Sequence, residues 1–157
     1  GAMSEDFSNW VSVRSTPSGF RGLFPNQPEG TTDTTSDHGE EITTTLWTAE
    51  TVEYACTVGI VVFTTVDPNT DPNLVLDGAL NGILAELNGE LMDRENLTHS
   101  DRPALDAVIK FEDGWAAFRM LSAGRKLYYA QVLAEEPRPE VFAYFAESFG
   151  LLESAMQ

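Results

Sequence analysis

The chain is short of cations, thiols and imidazoles. Across 157 residues, Lys and Arg number 9 against 25 Asp and Glu, a formal net charge of −16. A field of that sign repels phosphate backbones and anionic lipid surfaces, so no nucleic acid is expected as a partner. Only Lys110 and Lys126 are lysines. General solubility accounts for such a surface; a saline or extracellular setting, or a basic partner, is also compatible with it. No apolar run is long enough to span a bilayer, so no membrane insertion is expected. Gly1-Ala2-Met3 reads as the remnant of a cleaved expression tag, which leaves residues 4–157 as one domain and places any export signal outside what this sequence can show.

Cys56 is the single cysteine. It rules out an internal disulfide and a metal site built from several thiolates. Its apolar surroundings predict a small buried thiol. The histidines are His38 and His99 alone. His99-Ser100-Asp101 holds the three residue types of a hydrolase triad, but neighbours on an extended chain point apart, and a turn between strands is the better reading.

Glycine-rich phosphate loops, a dinucleotide fingerprint and paired histidine–carboxylate spacings are missing as well. Asp67-Pro68-Asn69-Thr70-Asp71 opens like a calcium loop. Pro72 then stands where the loop needs glycine and Gly78 where it needs a bidentate glutamate, so capping of a helix explains the same residues. Glu40-Glu41 and Glu135-Glu136 are sequence neighbours and are expected to be splayed and solvated. Asn96-Leu97-Thr98 matches a glycosylation sequon, relevant only in a eukaryotic secretory cell. No catalytic, cofactor-binding or metal-binding residue is assigned, no cofactor is expected, and the partner-binding residues and oligomeric state are left open.

What the sequence does contain is a dense run of strand signals from Asp101 to Leu152. Residues 104–112 carry alternating apolar positions up to Asp113-Gly114, a hairpin signal, and Trp115 to Leu121 forms the return. Ser122-Ala123-Gly124 turns the chain again. In Lys126 to Leu133, Leu127, Tyr129 and Leu133 lie on one face and Tyr128, Ala130 and Val132 on the other. A strand apolar on both faces belongs in the middle of a sheet covered on both sides. Pro137 and Pro139 then open a helix, with Phe142, Phe145 and Phe149 on one stripe and Gly150 as its stop.

Earlier in the chain, residues 10–13 and Phe20 to Phe24 read as short strands, and Asn26 to Gly39, with almost nothing apolar, as a loop. Glu41 to Trp47 is a β-branched strand, Ala49-Glu50 a tight reversal, and Val52 to Thr65 the longest strand, with Gly59 marking a bulge or the close approach of another backbone. Asp71 caps a helix that Pro72 opens and Gly89 ends, with Leu76, Leu80, Ile83, Leu84 and Leu87 as its apolar stripe. Gly78 and Gly82 predict close packing of that helix on the sheet. Glu90 to Thr98 is a more polar strand. Trp10, Trp47 and Trp115 are expected in the core.

This order resembles the PsbP-like family, which contains the photosystem extrinsic subunit, a Ran-binding import factor and bacterial envelope lipoproteins. The residues that carry the likeness are Gly19 to Pro25, the Gly124-Arg125-Lys126-Leu127-Tyr128 arm and the terminal Phe145 to Phe149. The resemblance implies an α+β fold, a mainly antiparallel sheet with helices packed on both faces (an α/β/α sandwich). It transfers no functional residue. It also implies a non-enzymatic protein-binding or accessory module, exported or periplasmic and in some members lipid-anchored, in a bacterial cell envelope. Such a module should present a groove or patch without converging ionisable groups. The alternative is a small-molecule-binding protein or carboxylate-dependent hydrolase with a pocket between sheet and helices.

Overall fold

The computed structural model describes residues 6–152, so the tag remnant expected at Gly1-Ala2-Met3 lies outside the described residues. Strands β1 (Val11–Ser15) and β2 (Phe20–Phe24) form a first hairpin. Strand β3 (Glu29–Asp37) follows where a loop was expected. Its threonines suit an edge strand with solvent on both faces, and they pair across to β4 (Glu40–Glu50) through hydroxyls, Thr32 with Thr45 at 3.1 Å and Thr34 with Thr43 at 3.2 Å. Lack of apolar residues was the wrong criterion there. The reversal also falls later than Ala49-Glu50: β4 runs through both, and Thr51 makes the turn by accepting from the Glu53 and Tyr54 amides at 3.2 and 3.1 Å.

Strand β5 (Tyr54–Phe63) leads to helix α1 (Pro72–Leu87). Asp71 caps it, its Oδ1 accepting from the Asn73 amide at 2.9 Å, while Asp67 Oδ1 accepts from the Asn69 amide at 2.9 Å. The calcium-like spacing is thus spent on turns. Gly78 and Gly82 are exposed with open space around them, so the expected close packing is not their role; Leu76 and Leu80 make the buried contact instead. Strand β6 (Glu90–His99) carries a bulge between Leu91 and Asp93.

The hairpin of β7 (Arg102–Phe111) and β8 (Gly114–Ala123) closes through Glu112 and Asp113, and Gly114 opens the return strand at φ 151°. A Cβ at Gly114 would lie 2.3 Å from the Ala134 carbonyl oxygen, so only glycine fits. Then come β9 (Lys126–Ala134), helix α2 (Pro139–Ser148) and the two-residue β10 (Gly150–Leu151), which pairs with β2.

Seven strands make one antiparallel sheet in the order β3-β4-β5-β9-β8-β7-β6; β1, β2 and β10 make a second, smaller one. The two-sided apolar strand, β9, is the central strand of the large sheet, as its pattern predicts. One face of that sheet is covered by α2 and the small sheet, around Phe20, Phe24, Cys56, Val58, Tyr128, Phe145 and Phe149. The other is covered by α1, through Leu76 and Leu80 on Leu105, Ile109, Phe118 and Met120. Gly59 marks neither a bulge nor the approach of another backbone: its register with β4 and β9 is regular, and the side-chain ring of Tyr129 lies across it, 2.1 Å from where a Cβ would be. The fold is therefore α+β, mostly antiparallel, with a helix on each face. The small sheet that shares the α2 face was not foreseen as a separate layer.

Candidate functional site: a closed ionic corner and an open acidic groove

Two places gather chemistry-bearing residues. The first lies under the end of α2, where four ionisable side chains converge, against the expectation of none. Asp106 on β7 and Arg119 on β8 are directly opposed in the hairpin register. Arg119, 6% exposed, donates from Nε and Nη2 to the two Asp106 carboxylate oxygens at 2.8 and 3.0 Å. Its Nη1 donates to Glu147 Oε1 on α2 at 2.9 Å and to His99 Nδ1 at 3.2 Å. Burial works against the Arg119 charge, but the hydrogen bonds and attraction of Asp106 and Glu147 outweigh it and raise its pKa above the ordinary value. The same bond to Arg119, slightly opposed by burial, holds the Glu147 carboxyl below its usual range.

Guanidinium groups only donate, so His99 Nδ1 must accept. The ring proton then sits on Nε2, which donates to the Phe149 carbonyl, and the ring lies parallel to Phe149 with centroids 6.1 Å apart. Ser100 and Asp101 turn the chain at φ 51° and 61°, and Ser100 Oγ accepts from the Leu151 amide at 3.3 Å. His99 and Ser100 thus bond to the segment 149–151 and to Arg119. The triad residue types are spread round a turn, as expected for sequence neighbours. Chemically the corner is a clamp: it ties the end of α2 and β10 to the sheet with a bidentate ion pair at its centre.

The second place is the other end of the same strands. There the β4–β5 turn, the β7–β8 turn and the β9–α2 connection bound an open groove of about 630 Å³. Its floor is apolar, made by Ala55, Leu133 and Phe111, with Val52 fully exposed at the lip. Ala55 and Leu133 belong to the α1 face, but α1 packs mainly on β7 and β8, and none of its residues lines the groove. The rim is acidic: Glu50, Glu53, Asp113, Glu135 and Glu136. Arg138, the one cation of the lining, is bonded to Glu53 at 3.1 Å. The pair Glu135-Glu136 is exposed, as expected, yet it belongs to this rim and is not idle surface.

Behind Ala134, Glu136 and Arg138, which both cavities share, a smaller slot of about 160 Å³ opens beneath the start of α2. Trp115, Val108, Ala117, Pro139 and Phe142 line it. Trp10 and Trp47 pack against the core as expected, whereas Trp115 walls this slot with the Lys110 ammonium 5.5 Å over its ring. Beyond Glu50 a third concavity of about 360 Å³ continues across Leu46, Thr48, Thr31 and Glu29.

His38 lies in the β3–β4 turn, Glu40 and Glu41 at the start of β4, and Cys56 is buried in β5. Among the described residues, no three His, Cys, Asp or Glu are grouped to hold a metal ion, and no helix is long and apolar enough to cross a membrane.

The Arg119 corner was legible in principle. Folding the sequence about Glu112-Asp113 sets Asp106, the only acid of β7, against Arg119, the only charge of β8. The groove was not, since three separate turns build it.

By sequence, the chain matches no family model and no curated protein. By structure, it is similar to the cyanobacterial PsbP (CyanoP) of Synechocystis sp. PCC 6803, known from a solution structure, at 14% identity with a TM-score of 0.64. The match covers 96% of this chain and 97% of that one. At that identity what the two share is a fold, and the fold of this chain is PsbP-like.

Proposed function

We propose that this chain is a non-enzymatic accessory module that binds another protein, with residues 4–157 acting as one unit outside the cytoplasm in a bacterial cell envelope. The observation that carries the reading is the groove at the sheet end: an apolar floor and an exposed Val52 inside a charged rim, at a strand end that no residue of α1 lines. Exposed apolar surface rimmed by polar groups is the usual mark of a protein-docking site. The PsbP-like fold supports the same reading. In the Arg119 corner, every ionisable group is already engaged by a neighbour, an arrangement suited to holding structure and not to turning over a substrate.

A photo-crosslinking residue at Val52 in the source cell tests it. Discrete protein adducts are expected there and not from the same residue at Thr32, on the edge strand; equal or absent adducts at the two positions refute the reading. The apolar slot favours one alternative, a small-molecule-binding role. In that case a metabolite panel should raise the unfolding temperature, because a ligand at a hundred times its Kd adds about 2.7 kcal/mol of stability.

A further inference from the structure

We infer that the partner enters this groove as a cationic segment of polypeptide carrying one bulky apolar side chain, which fills the slot beneath α2. The inference rests on the protein-binding reading above and adds the chemistry of what is bound.

The argument starts from the apolar surface. Leu133 and Val52 are left exposed, with Ala55 and Phe111 half-buried beside them, so four apolar side chains adjoin here, apart from the exposed Leu91 and Met92 on the edge strand β6. An apolar side chain of a partner would cover them together. The slot lies on the α2 face of the same sheet end and shares Ala134, Glu136 and Arg138 with the groove, so a segment that turns over that end meets both; its walls are the rings of Trp115 and Phe142 with Val108 and Pro139. It has room for a single aliphatic or aromatic side chain, the geometry of an interface anchor in a desolvated pocket.

Charge then selects the partner. Glu50, Glu53, Asp113, Glu135 and Glu136 surround the floor, and the only lining cation, Arg138, is already bonded to Glu53. Carboxylates so placed repel an acidic segment and attract Lys and Arg, whose stems can lie on Leu133 and Val52 while their charged ends reach the rim. The net charge of the whole chain steers the same encounter from a distance. A segment that alternates basic and apolar residues satisfies both the floor and the rim, and a compact metabolite would not span them.

The test is a random peptide library displayed on phage and selected against the intact, immobilised protein, followed by fluorescence anisotropy on the enriched peptides. Enriched sequences should carry an excess of Lys and Arg around at least one large apolar residue. Glu135→Lys with Glu136→Lys, both exposed and outside the fold's hydrogen-bond network, should weaken them at least about tenfold, since like charges across an interface cost several kcal/mol. Glu41→Lys with Glu95→Lys, an equal change in net charge away from the groove, should weaken them far less. Ala117→Leu, which narrows the slot, should discriminate against peptides with the largest anchors. Peptides without basic excess, or basic peptides that bind both charge variants alike, overturn the cationic assignment and leave a protein-binding role standing. Failure to enrich any peptide also overturns it. The reading on which it rests falls only if the Val52 cross-linking is negative too.

Discussion

Replacing Asp106 with alanine should be among the most damaging single changes to this protein, and the geometry says by how much. The Arg119 side chain is 7% exposed and Asp106 19%, so the bidentate pair sits largely out of water. Removing the carboxylate strands a guanidinium that keeps one bond to Glu147, itself 70% exposed, and one to a neutral imidazole. Breaking a buried ion pair from one side costs about 3–5 kcal/mol. With a urea dependence of about 2 kcal/mol per molar, the unfolding midpoint should fall by roughly 1.5–2.5 M. Glu147→Gln should cost no more than about 1 kcal/mol, because that partner is solvated. Taking out both charges together, Asp106→Leu with Arg119→Met, should recover most of the loss, since a well-packed apolar pair avoids the desolvation penalty. Equilibrium urea unfolding followed by tryptophan fluorescence reads all three. The reasoning fails if Asp106→Ala and Glu147→Gln cost the same small amount, or if the double replacement is as unstable as Asp106→Ala.

Other outcomes follow from the same geometry. The folded-state pKa of Glu147 is depressed, so its contribution is present above the unfolded value and is lost as pH falls through the folded one. Between about pH 6 and pH 3 the parent protein should therefore lose slightly more stability than Glu147→Gln; identical slopes refute this. Burial raises the Tyr128 and Tyr129 phenols above the ordinary value of 10.0, so an ultraviolet titration should show phenolate absorbance still developing well above that pH, and a titration complete at the ordinary value would count against it. Gly59→Ala should cost about 1–3 kcal/mol, because its Cβ meets the Tyr129 ring. Pairing it with Tyr129→Ala should show a coupling of at least about 0.5 kcal/mol in a double-mutant cycle, and simple additivity would refute the contact.

How far the sequence revealed this molecule depends on the range of each signal. Period-two and helical patterns located β5, β8, β9 and both helices, because every residue on them reports its own burial. Strand β9 went further: apolar character on both faces placed it at the centre of a sheet. Strand β3 failed the same test, since an edge strand with both faces in water carries no apolar alternation, and only its threonines hinted at pairing. Gly78 and Gly82 misled because a helix glycine was read as a packing device, where here it faces solvent. The ionic corner needed hairpin register as well as residue type. The groove needed three turns from distant parts of the chain, and no local pattern encodes that meeting.

The central position of β9 has a consequence for how the chain is born. Its partners are β5, which pairs across 80 residues of chain at Tyr54 with Ala134, and β8 just before it. On the ribosome, everything up to β5 and everything from β6 to β8 can zip locally, but each half keeps a raw strand edge until β9 emerges to join them. Chains interrupted before Lys126 therefore carry two unsatisfied edges, β5 and β8, and should be the species that chaperones hold and that clump when overproduced.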